Sequence, residues 1–377
     1  MTFTPRVSKH RHRGCLLPCS GQLPLCKNLP AMSRLRSTAS MTAALCAALA
    51  VAASVGFGAC TVASVTATSL VTPAAARAAV THHWDVNRQA LRATSGAQAK
   101  RLIEQVESGD ALKMDEAIIM QQADARAASG GTQTAIADST DIRVFVPRQT
   151  SYPAVFLSIR TEAQTDPSGV PTGKSNQVLE LFRRTSAADA WRNAGYADIA
   201  VGLANKLDIA LDKDGYAAFA DGAPGGSELS TLYTGYVGAL LGGHPDPAGK
   251  RVLAGPLTDQ FVTQLEQALA QTPTVKGVAT FSASTRQDGI KLKTNAGGRF
   301  VLFENLYDVV TTPSGGGCVT AGPGSSVPGS YSSVTDHLLQ NIGAVVAPGS
   351  DGSVSVIAES DSPVGVDTKP CPGGATV

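Results

Sequence analysis

The sequence predicts an α+β fold made of two tandem units, each with helices first and antiparallel strands after. Three observations predict it. Apolar residues recur at helical spacing between residues 97 and 128, and again between 227 and 269. After each stretch the period changes to alternation in segments rich in β-branched residues. A Gly/Pro break, Gly222-Ala-Pro-Gly-Gly226, separates the two cycles. The expected division is an extension and signal peptide over 1–59, a flexible tether over 60–80, a first α+β unit over 81–222 and a second over 223–377. The second unit ends in a Gly/Pro-rich tail.

The chain opens on residues 1–31, which hold Arg6, Lys9, Arg11, Arg13 and Lys27, three cysteines and no acid. This segment reads as an over-extended start, with Met32 or Met41 as initiator. A zinc site in Cys15, Cys19 and Cys26 with His10 and His12 is disfavoured, because the paired ligand spacings of zinc motifs are missing. No metal or cofactor is expected.

Ser37 to Ala76 carries no charged side chain and follows Arg34 and Arg36. A cationic start, an apolar middle and small residues make an export signal. Three fates compete for it. Cleavage could fall after small residues in Ala74-Ala75-Ala76-Arg77-Ala78. The segment could remain as a membrane anchor, since about 20 apolar residues span a bilayer. Or cleavage falls before Cys60, whose thiol then takes acyl chains. Phe57-Gly58-Ala59-Cys60 resembles a bacterial lipobox, with Phe57 where Leu is usual. The expected site residue is Cys60 as lipid attachment. The expected location is extracytoplasmic on the cell membrane, with full secretion as the alternative.

The remaining elements follow in order. Ala97–Glu107 and Leu112–Ala128 read as helices, punctuated by Gly109-Asp110 and Gly130-Gly131. Asp141–Pro147, Tyr152–Arg160 and Val178–Arg183 read as strands, with a loop over Asp166–Gly173. Ser186–Trp191 reads as one helical turn, and Tyr196–Val201 and Leu207–Asp212 as strands. Ser227 is expected to cap a helix carrying Leu229, Leu232, Tyr233, Tyr236, Val237, Leu240 and Leu241. Thr258 opens another, with Phe261, Leu265, Ala268 and Leu269 on one face. Strands follow over Gly277–Thr285, Gly289–Lys293, Gly298–Val310, His337–Val346 and Ser353–Ala358. This order is similar to that of the nuclear-transport-factor-like and cystatin-like cone folds. It is a likeness of fold, which does not carry function.

Composition narrows the function. Seven bases and no acid precede Cys60; removing those seven from 31 leaves 24 basic against 30 acidic residues, a net charge of −6. An acidic body without a basic stripe argues against nucleic acid, whose phosphates need neutralising. It argues equally against charge-driven attachment to anionic lipid. With Cys60 acylated, Cys318 and Cys371 remain as an isolated pair. In an oxidising compartment they read as a disulfide.

The stretch Asp141-Ile-Arg-Val-Phe-Val-Pro-Arg-Gln149, then Tyr152-Pro153, Val178-Leu-Glu-Leu-Phe-Arg183, Trp191 and Leu211-Asp-Lys-Asp-Gly-Tyr216 resembles an uncharacterised family of actinobacterial secreted lipoproteins. The resemblance covers Thr81 to the C-terminus. It implies export and architecture, and no activity.

No catalytic residue is expected. Asp208, Asp212, Asp214 and Asp221 surround Gly215, but a calcium-loop frame would put Ala210 at its first position and Asp221 at its twelfth. Asp214-Gly215 reads instead as a hairpin turn. His82-His83 are adjacent and about 100° apart on a helix, so they chelate poorly and read as an exposed pair. His244 precedes a proline loop. His337 reads as a structural imidazole. Ser325, Ser326 and Ser330 sit in a Gly/Pro loop without a placed His and Asp, and no G-x-S-x-G elbow occurs. Gly222–Gly226 and Gly315–Gly317 lack the residues of a phosphate loop. Glu180, the one acid inside its strand, reads as half of a structural ion pair along or across strands, and Arg184 has the same parity. The expectation is a non-enzymatic, envelope-tethered protein whose concave sheet binds a small apolar ligand or an envelope protein. An enzyme with a dispersed active site and a lipid or envelope-assembly carrier are the alternatives.

Overall fold

A computed structural model describes residues 69–129, 139–165, 171–244, 251–270, 275–284, 289–321, 327, 329–349 and 352–371. Three helices come first: α1 (Pro73–Leu91), α2 (Gly96–Val106) and α3 (Gly109–Ser129). Four strands follow: β1 (Ser139–Phe145), β2 (Ala154–Thr165), β3 (Pro171–Arg184) and β4 (Arg192–Ile199). The cycle then repeats with α4 (Gly226–Leu241), α5 (Asp259–Ala270), β5 (Val275–Ala283), β6 (Lys291–Lys293) and β7 (Arg299–Pro313). It closes with β8 (Val319–Ala321), β9 (Gly329–Val346) and β10 (Val354–Pro370). The fold class is α+β with an antiparallel sheet, as the change of period predicts.

The sheet runs β1-β2-β3-β4-β10-β9-β7-β5, with β6 on β7 and β8 on β9. Both halves therefore pair by the same scheme from opposite edges inward. They meet where β4 and β10 pair through Ala358–Ile199 and Glu359–Asp198. Alternation along the strands sorts side chains to two faces. Leu157, Ile159, Leu179 and Leu181 cluster with Leu292, Phe300, Leu302 and Ile357, so strands of both halves close on one core. A Cβ built on Gly343 of β9 would lie 3.3 Å from Leu179 of β3, which shows how closely the halves approach. The opposite faces carry the helices. Val301, Phe303, Ile342 and Ala344 meet Leu229, Tyr233, Phe261 and Leu265 of α4 and α5. Phe156 and Phe182 stack at 4.9 Å beneath Ala76 and Val80 of α1.

Two expectations change at the ends. Residues 69–79, expected within the tether, are packed: Val71 is 2 % exposed and Ala76 and Val80 are 0 %. The spacing of Ala76, Val80, His83, Val86 or Asn87, and Ala90 gives α1 a buried stripe, and Thr72 caps it by accepting from Ala75 N–H at 3.2 Å. The small residues that read as a linker are the ones a close helix–sheet contact needs. At the other end, the strand expected over Ser353–Ala358 runs on to Pro370 as β10, through what read as the Gly/Pro-rich tail. Val354, Val356, Ile357 and Ala358 are buried, and β10 pairs with β9 over its length.

Smaller corrections follow. Ser186–Trp191 forms a turn without a helix, and Leu207–Asp212 makes only single bridges, at Ile209–Thr294 and Leu211–Ala217. The cap of α4 is Gly225, whose N–H is held by the Glu228 carboxylate, so Ser227 already lies inside the helix. Residues 1–59 and Cys60 lie outside the described residues, as do Gly130-Gly131 and the 166–170 part of the expected loop.

Candidate functional site

Beneath α1–α3 the sheet face turns from aromatic to charged. Phe156 and Phe182 are followed on the same face by Ser158, Arg160, Val178 and Glu180. Alternation places these side chains under the helices, and α1 supplies His83, Trp84 and Asn87 above them. His83 and Asn87 are four apart and so share a helix face. Glu107 enters from the C-cap of α2, fixed by Glu107 N–H to Ile103 O at 2.8 Å and Ser108 N–H to Asn193 O at 2.8 Å. Glu107, Glu180, His83 and Arg160 are 0 %, 1 %, 3 % and 4 % exposed.

Charge this deep must be paired or neutralised. Glu180 is paired: Ser158 Oγ donates to Oε2 at 2.8 Å, and Arg160 Nε donates to Oε1 at 3.2 Å. Arg160 also bonds Glu162 and lies 3.9 Å from the centre of the Trp84 ring. Glu107 Oε1 accepts from Asn87 Nδ2 at 3.2 Å and faces His83 Nε2 at 3.3 Å. The other His83 nitrogen, Nδ1, lies 3.8 Å from Glu180 Oε1. Hence one imidazole sits between two buried carboxylates, edge-on to Phe182 at 5.5 Å.

Within this site three buried atoms make no hydrogen bond to the described residues: His83 Nδ1, Trp84 Nε1 and Glu107 Oε2. The last has a chemical answer. Burial first, and the neighbouring Glu107 charge second, push the Asp115 carboxyl well above the ordinary carboxylate range. A protonated Asp115 can donate to Glu107, while its Oδ1 accepts from Tyr196 Oη at 2.6 Å. The pair then holds one proton between two carboxyls. Asp198 extends the chain of acids: burial, then the charge of Glu162, pushes it up to about 6. His83 Nδ1 and Trp84 Nε1 remain, adjacent in sequence on α1.

A second network lies under α4. Asn305 Oδ1 is 2.9 Å from Ser230 Oγ and Thr234 Oγ1, and its Nδ2 reaches Gln340 at 3.3 Å. Gln340 Nε2 donates to Glu359 Oε1 at 3.0 Å, and Tyr307 Oη donates to Asp361. Burial, then the Asp361 charge, pushes Glu359 up to about 8. Separately, a surface cleft of about 300 Å³ is lined by Ala223, Pro224, Glu228, Thr231, Leu232 and Arg251. It shares no residue with either network.

The residues singled out in the sequence lie mostly elsewhere. Asp212 accepts from Asp214 N–H at 2.9 Å and Tyr216 N–H at 3.0 Å, and both Asp212 and Asp214 bind Arg148. Gly215 has φ 82°, so this is the turn expected and the acids serve it. Asp208 accepts from Asn295 at 2.7 Å, and the Asp221 carbonyl from Arg299 at 3.2 Å. His337 bridges Asp308 at 2.7 Å and Asp367 at 3.1 Å, a surface link between strands. Ser330 meets Thr320 at 3.4 Å; Ser325 and Ser326 lie outside the described residues. Cys318 and Cys371 stand at disulfide distance, 6.0 Å between Cα atoms. Among the described residues no group of three or more His, Cys, Asp or Glu could hold a metal ion.

The structural ion pair expected at Glu180 forms across strands, with Arg160 of β2, while Arg184 binds the carbonyls of Asp189 and Ala187. One reading needs correcting here. His82 is exposed, but His83 is buried, because neighbours on a helix point apart. His83, Asn87, Glu107, Asp115, Arg160, Tyr196 and Asp198 were missed as a group. The usable signal is the i, i+4 spacing of His83 and Asn87, hidden because clear apolar spacing marks a helix only from Ala97 onward.

Comparison with known families gives one result. The model of a domain of unknown function (DUF8094) matches residues 67–364, and the chain belongs to that family. No curated protein and no solved structure matches the chain.

Proposed function

We propose that this family member is an exported protein, tethered to the envelope through an acylated Cys60, that binds a small polar ligand beneath α1–α3. The observation that carries the ligand is the pair of buried, unpartnered donors and acceptors, His83 Nδ1 and Trp84 Nε1, beside the Glu107–Asp115 pair. A buried polar atom without a partner costs about 1–3 kcal/mol, and a ligand that supplies the partner recovers it. An apolar ligand would leave those atoms unpaired, so the ligand is polar. The lipobox and the uncharged run support export, in keeping with the resemblance to secreted lipoproteins of actinobacteria. Among the described residues no helix is long and apolar enough to cross a membrane.

The test is native mass spectrometry of the protein purified from its own envelope, with extraction of whatever it retains. A retained species of defined mass is expected, lost in Glu107→Gln while the fold persists. If nothing is retained and Glu107→Gln raises the melting temperature, the network is structural and filled by water.

A second reading is favoured by one observation. A carboxyl pair sharing a proton beside an imidazole is equipment for general acid–base chemistry. The enzyme with a dispersed active site would use Asp115 as the acid and His83 as the base.

A further inference from the structure

We infer that the mature protein keeps Ser69–Val80, so that no signal cleavage falls within Ala74–Ala78. The inference rests on the export reading and narrows where processing occurs. Three independent sets of contacts carry it. Val71, Ala76 and Val80 are buried against Val144 and Val146 and the stacked Phe156 and Phe182. Leu70 N–H donates to Gln149 O at 2.8 Å, and Gln149 N–H donates to Ser69 Oγ at 3.3 Å. Gln149 in turn holds the start of β2, donating to Val155 O at 2.7 Å and accepting from Val155 N–H at 2.8 Å. Finally Arg77, inside the small-residue run, bonds the Ile142 carbonyl of β1.

Cleavage after Ala76 or Ala78 would remove Val71, the Thr72 cap and Ala76 together. The stacked phenylalanines would face water, and Gln149 would lose its outer partner. Export precedes folding, so the helix does not shield the run from a peptidase. The folded product, however, would lack part of its core. The matched family region also starts upstream, at residue 67. Processing therefore lies before Ser69, where the lipobox at Cys60 stands. An anchor at Cys60 would stand nine residues before Ser69, within about 32 Å of it at the greatest reach of the chain. The body would then work close against the membrane surface.

The experiment is N-terminal sequencing and intact mass of the full-length chain expressed in an exporting host, paired with two substitutions. An N-terminus at Cys60 carrying acyl mass, or anywhere up to Ser69, is expected. A folded product beginning at residues 75–79 overturns the inference while leaving export intact. A chain that keeps residues 1–59 uncut sinks the acylated-Cys60 reading and leaves the membrane-anchor fate, and the substitutions then decide. Ala76→Asp is expected to lower the melting temperature by about 5 °C or more, and Ala75→Asp, on the exposed side, to leave it unchanged. If both are silent, Ser69–Val80 is no part of the body.

Discussion

Glu180 and Arg160 set the terms at the residue scale. Each is almost wholly buried and each satisfies the other. Removing Glu180 leaves the buried Arg160 with only the partly exposed Glu162 as counter-charge, so Glu180→Ala should destabilise by about 3 kcal/mol. The double change Glu180→Leu with Arg160→Met should cost much less, because both buried charges leave together and Glu162 is partly exposed. Chemical denaturation of the parent, single and double variants measures this; a single variant as stable as the parent would show that the pair is not desolvated in solution. The same scale separates binding from catalysis. A panel of ester, peptide, glycoside and phosphate substrates should give only background. Turnover abolished by Asp115→Asn in a folded variant would promote the enzyme reading.

Among the elements, the strands were legible where alternation was clean. Val144-Phe-Val146 and Leu179-Glu-Leu181 show their two faces directly. The helices α2, α3 and α5 were legible from their apolar spacing. The failures have physical causes. The front of α1 is alanine-rich because it lies close on the sheet, and alanine, serine and threonine also make linkers and signals. The outer part of β10 holds Pro363 and Gly365, which normally interrupt strands. It survives because β9 pairs with it through Pro370, with register shifts that absorb both residues. Cys318 lies next to β8 and Cys371 just after β10, so a bond between them would pin the far end of this long pair. Cys318→Ser is expected to lower stability by about 2–4 kcal/mol. Non-reducing peptide mapping should find the two peptides joined, and free thiols at both sites in native protein would end that expectation.

For the whole molecule, the order of elements was readable, but the site was not. Its groups come from three helices and three strands, and no local spacing brings Glu107 to Asp115 or Asp198 to Glu359. What the fold creates is a set of acids at the joint between its halves. Asp198 and Glu359 face each other in the β4–β10 pairing. Glu359 meets Gln340 of β9, Asp361 of its own strand and the charge of Asp198, with Tyr233 and Tyr307 on the same side. Burial raises Glu359 to about 8 and Asp198 to about 6, and raises Asp361 and Asp115 as well. The folded protein thus holds protons that the unfolded chain releases near pH 4. That stabilisation is complete below the ordinary carboxylate range and is lost as pH rises through about 6 and then about 8. His337, raised by its bonds to Asp308 and Asp367, acts in the same direction but is partly exposed. The melting temperature should therefore fall steadily between about pH 5 and pH 9. Glu359→Gln cannot ionise, so it should flatten the upper half of that slope. A parent that is equally stable or more stable at the alkaline end, or a Glu359→Gln variant that keeps the full slope, would show that the acids at the joint are not holding protons.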